Sequence, residues 1–540
     1  MLGKAGTRFS QNLVVDFDEK KVDTICAEID QCYLPGIAIG IAFGGKPVYR
    51  KGFGLASMEL PVGLSPTMRM RIGSTSKHFA SLAYLLLCEV GKAGIDDPIG
   101  QHLPELNPAV HAVTVRQLMG HTGGIRDVTD LLYQFSGTGR AVSSEEQLAL
   151  YRDIVSVNCP PGIAWNYNNG GYLILSAVIE RIVGKPLEDI FRELIFEPIG
   201  LHDTLLRRLD TDFVPNSATL HMTRAGGGFE KSYLGIALSG DGGIVSTVDD
   251  MLRWLAHMDA PIVGSETTWQ AMKTPLTLPN DTSTGYGLGL MTGRYRGVDT
   301  LHHGGWVMGG NSEMLKVPAM GLDIVVIVNR SDVFAKLYAL KILDACLPSL
   351  EPLQEPSRKA ARLTGVFRSP ATGRIIQLHP NEDGQLVSID GMDLPCEPDD
   401  TGTLRPGGIW HYLKLVITPR GDAETPQSLR FESFGNVDEL MRVSEIGMSE
   451  PEPDAILGHY RSVETATVAA LFKDGQGVTL HTTGPFGSAV HSLERLAQGV
   501  WRARSSKASF LTGILSFEAD CRGFDYSNSR TWALSFKREA

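Results

Sequence analysis

Ser74 and Lys77 are the residues with which this chain could do covalent chemistry. They sit in Met70-Arg71-Ile72-Gly73-Ser74-Thr75-Ser76-Lys77-His78-Phe79, at the mouth of an apolar run through Leu82, Leu85, Leu86 and Leu87. On a helix such a pair shares one face, so hydroxyl and amine stack a turn apart. A lysine held neutral can take the serine's proton and leave a nucleophilic oxygen. Ser-x-x-Lys also arises by chance in long chains, where the serine caps a helix and the lysine is solvated. The rest of the chain decides between these readings.

Such a nucleophile needs a second proton carrier, an oxyanion hole and a β edge for an extended substrate. Tyr167-Asn168-Asn169 offers a phenol and an amide at the spacing that lets both enter one cavity from an extended segment. His303-Gly304-Gly305 offers an imidazole and then backbone without side chains, which allows a substrate carbonyl close to an N–H. Taken singly, Tyr167 reads equally as a core tyrosine, Asn169 as a turn residue and His303 as a surface histidine.

The elements that must hold these groups are legible in outline. Residues 18–33 read as an amphipathic helix, with Val22, Ile25, Cys26 and Ile29 on one side. Residues 36–43 and 46–54 read as a hairpin turning at Gly44-Gly45. The Ser74 helix follows, then a short helix 115–119 capped by Thr114, and helices at 145–155, 171–183, 187–195 and 248–257. Strands are expected at 285–290, 300–305 and 323–329, with a closing helix at 334–346. Two strands, a long helical insertion, then strands and a helix describe an α+β fold: one antiparallel sheet flanked by helices.

Beyond residue 350 the chain turns to short alternating strands, with acidic, proline-bearing junctions at 350–356 and 449–454. Leu363-Thr364-Gly365-Val366-Phe367-Arg368-Ser369 opens the first stretch and Ile456-Leu457-Gly458-His459-Tyr460-Arg461-Ser462 the second. Each closes on apolar residues followed by a basic one, Leu440-Met441-Arg442 and Leu534-Ser535-Phe536-Lys537. This is a duplicated β domain, each copy a small closed antiparallel barrel. The expected domains are 1–350, 351–449 and 450–540.

At 540 residues the chain needs more than one core. A net charge of −11 and no basic run argue against a nucleic-acid surface. The first twenty or so residues lack the apolar run of a signal peptide, and residues 82–88 are too short to span a bilayer. Seven cysteines without a C-x-x-C pair fit a reducing cytoplasm. The histidines show no ligand spacing, so neither metal nor cofactor is expected.

The order Ser74-x-x-Lys77, Tyr167-x-Asn169, then His303-Gly304-Gly305 before a closing helix resembles the penicillin-recognising serine hydrolases, peptidase family S12. That group includes class C β-lactamases, D,D-peptidases, family VIII esterases, D-amino-acid amidases and D-aminopeptidases. Residues 114–125, Pro161-Gly162 and Tyr286-Gly287-Leu288-Gly289-Leu290 agree with it. With two β-barrels behind, the architecture is most similar to the D-aminopeptidases. The resemblance implies a β-lactamase-like catalytic domain, an acyl-enzyme on Ser74, proton transfer by Lys77 and Tyr167, and an oxyanion hole at Ser74 and Gly305 beside Gly304. Asn169 would orient the acyl amide or Lys77, and His303 would bond to Tyr167 or substrate.

It also implies a third-domain loop in the site, here Thr483-Gly484-Pro485-Phe486-Gly487-Ser488, and a homodimer acting on small peptides, amides or esters, with β-lactams as inhibitors. Relatives that act on carboxylate-bearing substrates carry lysine at the His303 position. A mostly neutral histidine suits substrates without a carboxylate beside the scissile bond. Residues 481–491 contain no carboxylate to hold a free amine, which keeps beside a D-aminopeptidase the alternatives of a family VIII-type esterase or amidase or a D,D-peptidase/β-lactamase-like enzyme, and of a silent scaffold or ligand-sensing relative as the non-enzymatic one.

Overall fold

The computed structural model describes residues 17–137, 140–224, 226–352, 362–382, 384–390, 392–407, 410, 413–422, 424–443, 453–475, 477–506 and 511–539. The N-terminal residues read for a signal peptide and the two proline-bearing junctions lie mostly outside them.

The hairpin forms β1 (Ile37–Phe43) and β2 (Lys46–Phe53). Four later strands complete an antiparallel sheet: β3 (Met291–Tyr295), β4 (Val298–Val307), β5 (Gly310–Val317) and β6 (Leu322–Val328). Their order is β3-β4-β5-β6-β1-β2. β1 is apolar throughout because both its faces are covered. Ile37, Ile39 and Ile41 pack toward helices α1 (Glu19–Cys26) and α6 (Ala335–Cys346). Ala38, Gly40 and Ala42 face the opposite way, where α5 (Val248–His257) lies close. A Cβ on Gly40 would come within 2.4 Å of Val248 Cγ1, so that face has to be small.

The helical insertion carries α2 (Ser76–Glu89), α3 (Val128–Phe135) and α4 (Asn169–Val183). α2 is buried along nearly its whole length, consistent with an apolar sequence on every side. Helix α1 is shorter than the 18–33 expected: Asp18 caps it and it stops at Cys26. The helices expected at 145–155 and 187–195 end early too, at Ser144–Leu150 and Leu187–Phe191, the latter continuing into a π-turn at Arg192–Phe196.

Residues 285–290 are not a strand. Gly285 and Gly289 have φ of 68° and 85°, and a Cβ on Gly287 would meet the Met272 carbonyl at 2.1 Å. These glycines form a close-packed turn ahead of β3. β5, conversely, was not expected, because its buried positions include Asn311, Ser312, Glu313 and Lys316 rather than an apolar alternation.

Two closed eight-stranded antiparallel barrels follow, the first from Gly365–Arg368 to Asn436–Arg442 and the second from Gly458–Ser462 to Leu534–Arg538. They close alike, with Phe367 opposite Arg442 and Tyr460 opposite Arg538. Each arginine lies over its partner ring, at 5.6 Å and 5.3 Å from the centroid. The repeated basic residue of the second copy is therefore Arg538, one place beyond the Lys537 that marked it in sequence.

Both barrels dock beside the catalytic helices. In the first, Phe434 stacks on Trp165 at 4.1 Å, and Asn436 exchanges two hydrogen bonds with the Trp165 backbone, at 2.9 Å and 2.7 Å. In the second, Tyr526 and Phe536 pack on Phe135 at the end of α3, at 4.8 Å and 5.5 Å. Phe367 is fully buried at the first barrel's seam. Phe367→Ala should cost the barrel about 3–5 kcal/mol, read as a lower urea midpoint.

Candidate active site

Ser74 lies on a 3-10 turn, Gly73–Thr75, that feeds directly into α2. This turn is pinned against β4 and β5. The Thr75 hydroxyl donates to the His303 carbonyl at 3.2 Å, and the Ser312 hydroxyl to the Ile72 carbonyl at 2.8 Å. Two glycines make the contact possible. A Cβ on Gly305 would sit 1.8 Å from the Ile72 carbonyl oxygen, and one on Gly73, at φ 53°, would sit 2.7 Å from the Trp306 amide nitrogen. Strand amides at 305–306 thus lie beside Ser74.

Lys77 is fully buried and its ammonium has three acceptors: Ser74 Oγ at 3.0 Å, Asn169 Oδ1 at 2.8 Å and the Asp241 carbonyl at 2.6 Å. Burial drives its pKa down to about 7, with Asp241 and Asp127 opposing and Arg530 reinforcing the shift. A substantial neutral fraction at neutral pH follows.

Asn169 opens α4, and its placement depends on Asp127, which caps α3. The Asp127 carboxylate accepts from the Asn169 and Gly170 amides, each at 3.0 Å, and from Asp130 N at 3.3 Å. Tyr167 packs its ring 4.9 Å from Lys77 Nζ. Burial raises its phenol above the ordinary value, and a hydrogen bond with Ser74 pulls it back down.

His303 is buried beneath the strand, and burial, then Lys77, depresses it to about 3. It is neutral at pH 7. Its Nδ1 is 2.7 Å from the Gly304 carbonyl and its Nε2 2.9 Å from the Tyr286 hydroxyl. With the proton on Nδ1, Nε2 accepts from Tyr286. The structure therefore bonds His303 to Tyr286; its ring centroid is 6.3 Å from that of Tyr167.

Ser74, Lys77, Tyr167, Asn169, His303, Gly304 and Gly305 all come together. The hairpin 483–488 does not join them. Thr482 donates to the Phe135 carbonyl at 2.8 Å, a Cβ on Gly484 or Gly487 would approach Ser136, and Phe486 stacks with Arg140 at 4.9 Å. Thr483, Pro485 and Ser488 belong to this same hairpin, which braces the end of α3.

The second barrel reaches the site through residues 528–532 instead. Asn528 Oδ1 holds the Arg530 and Thr531 amides at 2.9 Å and 2.7 Å, a tight turn. Asn158 and Asn166 donate to the carbonyls of Arg530 and Ser529, at 2.6 Å and 3.1 Å. The Arg530 guanidinium lies 3.4 Å from Asp127 and 5.3 Å from the Tyr167 ring centroid. Asp127, Asp241 and Arg530 were not singled out in sequence, and Tyr286 only as part of the stretch 286–290 that agrees with the family pattern. Asp127 carried an N-cap signal before an apolar run; nothing local marks Arg530.

Ser74 separates two cavities. One, of about 210 Å³, has apolar walls at Leu234, Leu238 and Leu511 and is also lined by Asp130, Asp241 and Asp390. The other, of about 360 Å³, runs along the outer edge of β4 past Gly304 toward Thr292 and Lys414.

A helix-flanked antiparallel sheet with a half-buried serine beside a fully buried lysine on its edge defines a serine hydrolase of the β-lactamase type. The Beta-lactamase family profile matches residues 22–346, and the chain belongs to that family. The chain is 25% identical to a D-aminopeptidase of Brucella anthropi across 97% of this chain and 95% of that protein. It is 22% identical to a D-aminopeptidase of Gluconobacter oxydans, across 94% and 92%. Among solved structures, an octameric penicillin-binding protein homologue from Pyrococcus abyssi superposes with TM-score 0.57 at 21% identity, covering 88% of this chain and all of that one. The D-amino acid amidase of Ochrobactrum anthropi SV3 gives 0.52 at 23%, covering 60% and 97%.

Gly305→Ala should destabilise the protein by about 1–3 kcal/mol through overpacking. Gly304→Ala, whose nearest neighbour is a Glu313 carboxylate oxygen at 2.8 Å, should cost less because that side chain can yield. Paired thermal melts check the order.

Proposed function

We propose that this protein is a D-stereospecific serine aminopeptidase that releases N-terminal D-residues from short peptides, amides or esters through an acyl-enzyme. The observation that carries the reading is Lys77: a fully buried amine with a pKa near 7, 3.0 Å from the Ser74 hydroxyl. The stereochemistry and the exopeptidase character rest on the relatives named D-aminopeptidase, which align through both barrels.

Neutral Lys77 takes the Ser74 proton as Oγ bonds to the substrate carbonyl carbon. Amides of Ser74 and of strand residues 305–306 hold the oxyanion, with the side-chain-free edge of Gly304 and Gly305 admitting the carbonyl. The proton passes through Lys77 and Tyr167 to the leaving nitrogen as the C–N bond breaks. Water, activated by the same pair, then hydrolyses the ester and returns the proton. Asn169 keeps Lys77 in place. His303 supports Tyr286 and the strand, with no charge to offer a nearby carboxylate.

The substrate's α-ammonium fits the smaller cavity. Burial raises Asp130 there to about 6, with Arg530 opposing, so it is largely ionised at pH 7. Asp130 thus takes the role that the 481–491 stretch has no acid to fill. The seven cysteines are free, which supports a cytoplasmic setting; a homodimer belongs to the same reading and is checked by sedimentation. No helix among the described residues is long and apolar enough to cross a membrane.

The wild type should form a stoichiometric fluorophosphonate adduct that Ser74→Ala lacks, and should turn over D-alanine p-nitroanilide faster than the L form. An equal adduct on Ser74→Ala, or equal rates for the two enantiomers, overturns the assignment. The ratio kcat/KM should rise with pH through an inflection near 7, where Lys77 loses its proton. In Arg530→Gln the inflection should move to higher pH, because removing a nearby positive charge lets Lys77 keep its proton.

A further inference from the structure

The larger cavity has an electrostatic imbalance that the proposed chemistry leaves unused. Three cationic side chains line it: Lys336, Arg530 and Lys414. Lys336 is paired with Glu313 at 2.7 Å, and Arg530 faces Asp127 at 3.4 Å. Lys414, from the first barrel, has no carboxylate partner among the described residues. Its amine donates to the Thr292 carbonyl at 3.5 Å and lies 3.2 Å from the position of a Cβ on Gly285. The neighbouring imidazoles do not cancel or add to this charge, since burial depresses both His302 and His303. The cavity's excess positive charge is therefore Lys414.

Its place along the strand sets what it could read. β3 pairs with β4 only between residues 298 and 302, so the outer edge at 303–307 has no strand partner among the described residues. An extended peptide can add there, antiparallel to β4. That direction puts the acyl residue beside Trp306 and the smaller cavity, and runs the leaving group back past Gly304 toward His302. Met291 pairs with His302, and the Lys414 amine, bonded to the next carbonyl along β3 at Thr292, lines the cavity together with His302. From Gly305 to His302 is three residues, roughly 10 Å at strand rise. A one-residue leaving group ends well short of that point; one of two or three residues brings its terminus to it.

We propose that the cavity takes a peptide leaving group of two or three residues ending in a free α-carboxylate, and that Lys414 binds that carboxylate. The substrate class is then a short free peptide, anchored by its amine near Asp130 and by its carboxylate on the first barrel. This deepens the aminopeptidase reading and rests on it. Neutral His303 is consistent with it, because the carboxylate lies several residues beyond the scissile bond.

The test compares D-alanyl tetrapeptide with its C-terminal amide, D-alanyl dipeptide with its amide, and D-alanine p-nitroanilide. The tetrapeptide acid should show a KM about tenfold below its amide, the scale of one charge-assisted hydrogen bond. The dipeptide pair should differ little. Lys414→Ala should bring the tetrapeptide ratio close to one through KM rather than kcat, and Lys414→Arg should retain it. Equal KM for acid and amide in the wild type, or an undiminished ratio in Lys414→Ala, overturns the subsite while p-nitroanilide turnover leaves the aminopeptidase reading standing. Absence of turnover across the whole series overturns both.

Discussion

The constraint on which this site depends is a buried lysine with no carboxylate in direct contact. Lys77 has spent its three donors on a hydroxyl, an amide oxygen and a main-chain carbonyl. None of these carries formal charge, so burial is not offset by direct pairing and the neutral form gains. The surrounding structure holds those acceptors still. Asp127 fixes the amides of Asn169 and Gly170, while Ser239 donates to the Asp241 carboxylate at 2.6 Å and Gly240 to Ser176 at 3.0 Å. The carboxylates near Lys77 therefore act on its surroundings, and at a distance on its charge. Moving either one into direct contact would restore an ordinary ammonium and remove the base.

This arrangement spans all three folded units. The first barrel grips Trp165, two residues before Tyr167, by a ring stack and a pair of amide hydrogen bonds. The second places Arg530 between Asp127 and the Tyr167 ring. The barrels also bind each other, Arg502 donating to Gln377 at 2.6 Å and Thr512 to the Asp390 carbonyl at 2.9 Å. Asp127 is the joint: it caps α3, orients Asn169 and faces the second barrel's cation. The placement of Tyr167 in the first unit thus depends on docking by residues several hundred positions away.

That dependence explains what was readable in sequence. The hairpin, the Ser74 helix and the Thr114 cap are local patterns, and their residues decide them without help from afar. The barrel duplication was readable because Phe367 and Tyr460 occupy equivalent seams of the two barrels, against Arg442 and Arg538. β5 escaped because its buried polar residues find partners only in the folded chain: Lys316 with Asp323 at 2.8 Å, Glu313 with Lys336, Asn311 with the Ala335 amide at 2.6 Å. Residues 285–290 misled for the converse reason, an apolar alternation in which Gly285 and Gly289 adopt left-handed φ. The hairpin at 483–488 was expected in the site from the family resemblance, yet a resemblance in architecture does not fix where this chain's turn docks, which is on Phe135 and Ser136. Arg530 reaches Tyr167 only because Tyr526 and Phe536 seat the barrel on Phe135.

Ser74 lies where the two cavities meet, and the surrounding charges divide the groove into ends. On the acyl side Asp130 and Asp241 line the cavity, and Asp390 is already answered by Arg374 at 3.2 Å. Along the other side Glu313 is answered by Lys336, and Lys414 stands at the far mouth. Between them His303, where a lysine would have fixed a charge beside the scissile bond, is held neutral by burial and by the nearby Lys77. Replacing a cation at the centre by a neutral ring removes the site's reason to prefer an adjacent carboxylate. Recognition then falls to groups farther out, and those groups stand on different folded units. Two appended barrels that only stabilised the catalytic domain would have no reason to line its cavities. Lining both, they set how far from Ser74 each of those charges stands.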